Sequence, residues 1–274
     1  MAKTFHSRVL KYVRPDQPLG PADAHLIKDP EVAAFLFDPH NKSFNALLRK
    51  DVSVVVGRRG SGKTALLNSY LYRPYFSKGQ ISAAGDANLD ISDYKVVISI
   101  LNHKLFDHMQ DYVVGPSGAR RAIESVIEAW GDLITDYILA SLLHEYSAEM
   151  DGERLSIISQ YMCAPEIKKK SDAYRLVWGP NVWDALKSLL TGRKIDASPP
   201  SKEEAWSACL AHLTGAKAAA VVIFDSLDEY EIGDSKVDRT VGALLRFVSQ
   251  FNSEHDRIKI KLGFPSYGLH PVPQ

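Results

Sequence analysis

The sequence predicts an α/β fold with a mostly parallel sheet, and three observations predict it. The β-branched run Val52-Ser53-Val54-Val55-Val56 leads into a glycine-rich turn and then into Ala65-Leu66-Leu67-Asn68-Ser69-Tyr70-Leu71, which reads as a helix. A second run, Ala219-Ala220-Val221-Val222-Ile223-Phe224, is apolar throughout and ends in Asp225, as a parallel strand covered on both faces reads where its C-terminal end meets a ligand. Between the two runs, apolar residues recur at helical spacing over long stretches. At 274 residues, 45% hydrophobic and 24% charged, the chain has the size of one large α/β domain or of a domain plus a subdomain.

Residues 1–30 mix Pro15, Pro18, Gly20 and Pro21 with charge and read as an extended arm ahead of a domain over 31–274. Asp29 as cap and Pro30 at the first helical position open a helix through Phe37, and Asn45 to Lys50 reads as a second short helix. After the helix that follows the turn, residues 79–92 form a small-residue connector, and Tyr94 to Leu101 reads as the second strand. From Arg120 to Tyr146, residues Ile123, Val126, Ile127, Trp130, Leu133, Ile134, Tyr137, Ile138 and Leu142 lie on one stripe, which predicts an amphipathic helix packed on a core. Residues 150–172 carry no clear pattern, and Val182 to Leu190 is helical again, so 115–200 reads as a large, mainly helical insertion between the second strand and the strand ending at Asp225. Ser201-Lys202-Glu203-Glu204 is a capping box that opens a helix ending at Gly215. Past Asp225, Val241, Leu244, Leu245, Val248 and Phe251 mark a further helix, and Ile258 to Phe264 a further strand.

The turn after the first strand reads Gly57-Arg58-Arg59-Gly60-Ser61-Gly62-Lys63-Thr64, the pattern G-x-x-x-x-G-K-[ST]. A loop that wraps a polyphosphate must aim backbone N–H groups inward, so it needs residues without a Cβ where it bends tightly, here Gly57, Gly60 and Gly62. Lys63 would reach the outer phosphates, the Thr64 hydroxyl would ligate Mg²⁺, and the helix starting near Ala65 would point its positive end at the anion. Asp225 at the end of the second run suits the same metal ion, directly or through water. Asp228 and Glu229 follow within one turn, and either would position an attacking water; a solvated acidic turn is the plain alternative.

Together, Gly57 to Thr64 and Asp225-Ser226-Leu227-Asp228-Glu229 resemble the Walker A and Walker B signatures of the STAND branch of AAA-like (ASCE) P-loop ATPases, with Ser226 in the small-residue position. The resemblance is firm over these motifs and looser from about Glu31 to Ser266, where it extends to bacterial defence-associated ATPases. It implies a P-loop NTPase three-layer sandwich, with the strand at 258–264 placed between the P-loop strand and the Walker B strand. It further implies ATP and Mg²⁺ as cofactors and slow hydrolysis. The output would be a nucleotide-controlled switch, coupled to homo-oligomerisation or an effector protein and often serving antiphage defence. Ser266, in Pro265-Ser266-Tyr267, stands where the family carries a polar sensor, but no arginine follows it. Arg246 and Arg257 read first as ordinary surface arginines, with an arginine finger toward a neighbouring subunit as the alternative. The family further implies one more strand beside the P-loop strand and a C-terminal lid; the sequence stops at His270-Pro271-Val272-Pro273-Gln274, so the expectation is either a fragment of a longer protein or an edge covered by a partner or by the N-terminal arm.

Two other readings stand beside the switch. A phosphotransferase would use basic residues such as Lys168, Lys169, Lys170, Arg175 and Arg193 around a transferred phosphoryl group, and a scaffold would bind ATP without turnover. GTP is disfavoured by the lack of an Asn-Lys-x-Asp sequence. The 33 basic and 33 acidic residues cancel, so net charge gives no pull toward nucleic acid or an anionic membrane. Cys163 and Cys209, without metal-ligand spacing, read as buried small hydrophobes in a reducing compartment. His103, Asp107 and His108 make only a weak metal pattern. No apolar run approaches membrane-spanning length, so a soluble, cytoplasmic protein is expected.

Overall fold

Strand β1 (Val54–Gly57) runs into helix α1 (Lys63–Asn68), and β2 (Tyr94–Ile100) into α2 (His103–Val113). Helices α3 (Ile123–Tyr146), α4 (Gly152–Met162), α5 (Pro165–Lys169) and α6 (Lys202–Gly215) precede β3 (Ala219–Phe224), which is followed by α7 (Ser235–Glu254) and β4 (Ile258–Pro265). This computed structural model describes residues 46–47, 49, 51–58, 61–68, 70, 94–100, 103–115, 118–169, 198–225 and 234–265. The arm 1–30, the helix from Asp29, the connector 79–92 and the helix Val182 to Leu190 lie outside them.

The four strands form one all-parallel sheet in the order β1-β4-β3-β2. The strand late in the chain therefore sits between the two that carry the motifs, and β1 and β3 end on the same side of the sheet. Side-chain alternation divides the sheet into two faces. Val96, Ile98, Ala220, Val222, Phe224, Ile258, Ile260 and Leu262 pack with α2, α3 and α7 on one face. Val97, Ala219, Val221 and Ile223 meet Leu47, Leu67 and Tyr70 on the other.

Trp130 anchors the larger core. It is fully buried, its ring meets Phe224 edge-on at 5.8 Å, and its indole N–H donates to the Thr240 carbonyl at 3.2 Å. This one side chain ties α3 to both β3 and α7.

Helix α3 departs from a one-stripe amphipathic helix. Leu139, Ala140 and Leu143 are buried as well as the stripe, so its second half is enclosed on more than one face. Asp136, 1% exposed, is kept there by the Tyr161 hydroxyl, which donates to it at 2.8 Å. Helices α4 and α5 fill the patternless stretch. Asp151 caps α4 by accepting from the Arg154 N–H at 3.0 Å, and Pro165 occupies the first position of α5.

The capping box of α6 closes in both directions, the Glu204 N–H donating to Ser201 Oγ at 3.2 Å and the Ser201 N–H to Glu204 Oε2 at 2.7 Å. At its other end Gly215 stays inside the helix, and the left-handed residue is Lys217, with φ of 48°. The Ala218 N–H then donates back to the Leu213 carbonyl at 2.8 Å, turning the chain into β3.

Candidate phosphate-binding site

The end of β1, the start of α1 and the end of β3 meet at one edge of the sheet. Gly62 carries a φ of 84°, a left-handed backbone that favours glycine, and the Leu66 N–H returns to the Gly62 carbonyl at 2.9 Å to begin α1. Lys63 therefore starts the helix with its side chain turned back under the loop. Its ammonium donates to the carbonyls of Gly57 at 3.0 Å and Arg58 at 3.1 Å, and the residue is 6% exposed. Arg58 and Ser61 are exposed on the loop, and Ala65 is half-buried in the first turn of α1.

The Thr64 hydroxyl donates to Asp225 Oδ2 at 2.6 Å, closing a separation of 161 residues. Asp225 is 6% exposed, because β4 lies tight against it. A Cβ added at Gly263 would stand 2.6 Å from Asp225 Oδ1 and 3.0 Å from Leu67, so only glycine lets the carboxylate and α1 approach the strand this closely.

A cavity of about 560 Å³ opens beside the loop, lined by Gly57, Ser61, Gly62 and Lys63 together with Ala46, Leu47, Val52 and Val54. Its size is that of a small-molecule site. A groove of equal volume runs between α4 and α6, past Glu153, Arg154, Glu203 and Glu204. It has no glycine-rich loop along it, whereas the cavity at Lys63 is lined by one.

The structure thus assembles Gly57, Arg58, Ser61, Gly62, Lys63, Thr64, Ala65 and Asp225 at one edge. Arg59, Gly60, Asp228, Glu229 and Ser266 lie outside the described residues. Arg257 directly precedes β4, at the opposite end of the sheet from the loop, and Arg246 is exposed on α7. Ala46, Leu47 and Val52 belong to no motif; their one sequence signal is their place just ahead of β1.

Both cysteines are buried, and burial pushes the Cys209 thiol up to about 12. Among the described residues no cluster of His, Cys, Asp and Glu could hold a metal ion, and no helix is long and apolar enough to cross a membrane. Comparison with protein-family models, with curated proteins and with solved structures finds no match in any of the three.

Proposed function

We propose that the chain binds ATP with Mg²⁺ and hydrolyses it slowly, as a nucleotide-controlled switch. The observation that carries this reading is the Thr64 to Asp225 hydrogen bond of 2.6 Å, next in sequence to a buried Lys63 folded onto the loop carbonyls. A hydroxyl and a carboxylate in contact give hard oxygen donors, which suit Mg²⁺. When bound, the ion neutralises phosphate charge; Thr64 and Asp225 are the residues that would hold it. Lys63 rests on loop carbonyls and would exchange them for phosphate oxygens, and the N–H groups at the start of α1 would supply further donors to the anion. The base would occupy the cavity against Ala46, Leu47 and Val52. Glu229 or Asp228 would orient the attacking water. Coupling to a second copy of the chain or to an effector protein, and a role in antiphage defence, belong to the same proposal by resemblance alone.

The test is ATP binding and phosphate release with Mg²⁺. Lys63→Ala is expected to abolish binding, whereas Glu229→Gln is expected to bind ATP and lose hydrolysis. Normal ATP affinity in Lys63→Ala would sink the assignment, and a phosphorylated acceptor in place of free phosphate would turn it toward a phosphotransferase.

A further inference from the structure

The cavity wall at 46–52 is fixed from outside itself. Within it, among the described residues, the Arg49 N–H donates to the Ala46 carbonyl at 3.1 Å, the Val52 N–H to the Arg49 carbonyl at 3.4 Å, and the Arg49 guanidinium to the Asp51 carboxylate at 2.6 and 3.0 Å. A single turn held this way is marginal. Lys261 of β4 reaches it from below. This lysine is 0% exposed, and its ammonium donates to the Arg49 carbonyl at 2.8 Å and to the Val52 carbonyl. The neighbouring residue is held as well, Asn252 donating to Ser53 Oγ at 2.8 Å and the Leu262 N–H to the Ser53 carbonyl at 2.8 Å. From the other side the Tyr70 hydroxyl donates to the Leu47 carbonyl at 3.0 Å.

Burying an ammonium is costly, and an apolar residue at this place in a central strand would avoid that cost. What the lysine supplies is a fixed distance between β4 and the carbonyls of Arg49 and Val52. The same strand, two residues further on, sets the metal-binding end, because Gly263 is the surface against which Asp225 rests. One strand therefore touches both the segment that lines the cavity ahead of β1 and the Asp225 carboxylate at the loop edge.

We propose that Lys261 is a positioning residue for the nucleoside half of the ligand. It holds the carbonyls of Arg49 and Val52 so that Ala46, Leu47 and Val52 stand at the spacing of a base from the phosphate loop. This rests on the ATP reading and deepens it. The phosphates depend on Lys63, Thr64 and the loop amides; the base depends on Lys261.

The experiment compares ATP with tripolyphosphate, each with Mg²⁺, on the full chain. In Lys261→Met, ATP affinity is expected to fall by about tenfold while tripolyphosphate affinity stays within about twofold. In the wild type, ATP is expected to protect the amides of Arg49 and Val52 from hydrogen exchange, and tripolyphosphate is not. Unchanged ATP affinity in the variant, or an equal fall for both ligands, overturns the inference. So does equal protection of the wild type by both ligands, an arm that holds even where Lys261→Met fails to fold. Wild-type binding of both ligands with equal affinity would leave the phosphate loop standing and remove the wall, whereas binding of neither would remove the ATP reading itself.

Discussion

Strands β3 and β4 run side by side in the same sheet, paired from Ala220 against Ile258 to Phe224 against Leu262, and they solve the same burial problem in opposite ways. Every residue of β3 is apolar and buried. In β4, Ile258, Ile260 and Leu262 face the larger core while Lys259 and Lys261, 2% and 0% exposed, occupy the other side of the strand. Both lysines end on backbone carbonyls. Lys259 donates to Asn252 at 2.5 Å and to His255 at 2.6 Å, where α7 ends, and Lys261 donates to Arg49 and Val52. The last carbonyls of a helix lack intrahelical donors and carry partial negative charge, so a buried ammonium there satisfies groups that would otherwise be stranded. A central strand can therefore be apolar on both faces, or carry a cation wherever the chain delivers carbonyls to it.

The largest expected effect comes from placing the β4 solution in β3. Val221 is fully buried against the face that holds Leu47, Leu67 and Tyr70. Val221→Lys should lose about 3–5 kcal/mol, because the ammonium meets side-chain carbon there. Urea unfolding measures it, and a variant as stable as wild type would show that the carbonyls beside β4 are not what makes a buried lysine tolerable. The converse change is smaller. Lys259→Met removes the donor from Asn252 and His255 while sparing the cost of a buried charge, and should destabilise by about 1–3 kcal/mol. A gain in stability instead would mean that these carbonyls find other partners.

The same contrast separates what the sequence disclosed from what it hid. β3 was legible because an unbroken apolar run ending in Asp225 has few other readings. The pattern of β4, with lysine at every second place, reads equally as a half-exposed strand; its central position came from the resemblance and not from periodicity. Periodicity registers side-chain polarity, whereas the burial of Lys259 and Lys261 is decided by where their ammonium groups end. That Lys63, Thr64 and Asp225 come together was legible because their motif pattern fixes side chains at set spacing. The residues ahead of β1 could be read as a wall by position alone, because Arg49 and Val52 are held through backbone carbonyls, which any residue supplies. The enclosure of α3 was partly hidden too, since Leu139 and Leu143 lie off the stripe that defines its amphipathic face. Lys217 in the left-handed region, with Gly215 nearby, shows a helix end set by the Ala218 to Leu213 hydrogen bond and not by the position of the glycine.

A weaker, pH-dependent contribution arises at the corner where α7 passes into β4. His255 caps α7, its N–H donating to the Phe251 carbonyl at 3.1 Å, and its ring packs against Phe251 at 4.4 Å and Trp206 at 5.3 Å. Burial lowers its pKa below the ordinary 6.5; the Lys259 cation acts in the same direction, and Glu254 opposes both. A depressed folded value means that the unfolded chain binds the proton more readily. Stability from this group is thus full above about pH 6.5 and is lost as pH falls through the lower, folded value. Thermal melts from pH 7.5 to 5 should show a slope that flattens in His255→Asn. In Lys259→Met the slope should be shallower than in wild type, because one of the two causes of the shift is gone. An unchanged slope in both variants would place the acid sensitivity elsewhere. A steeper slope in Lys259→Met would show that the lysine shields the ring from protonation less than it holds the corner closed, and would make Lys259, like Lys261, chiefly a fastener between β4 and the segment that ends beside it.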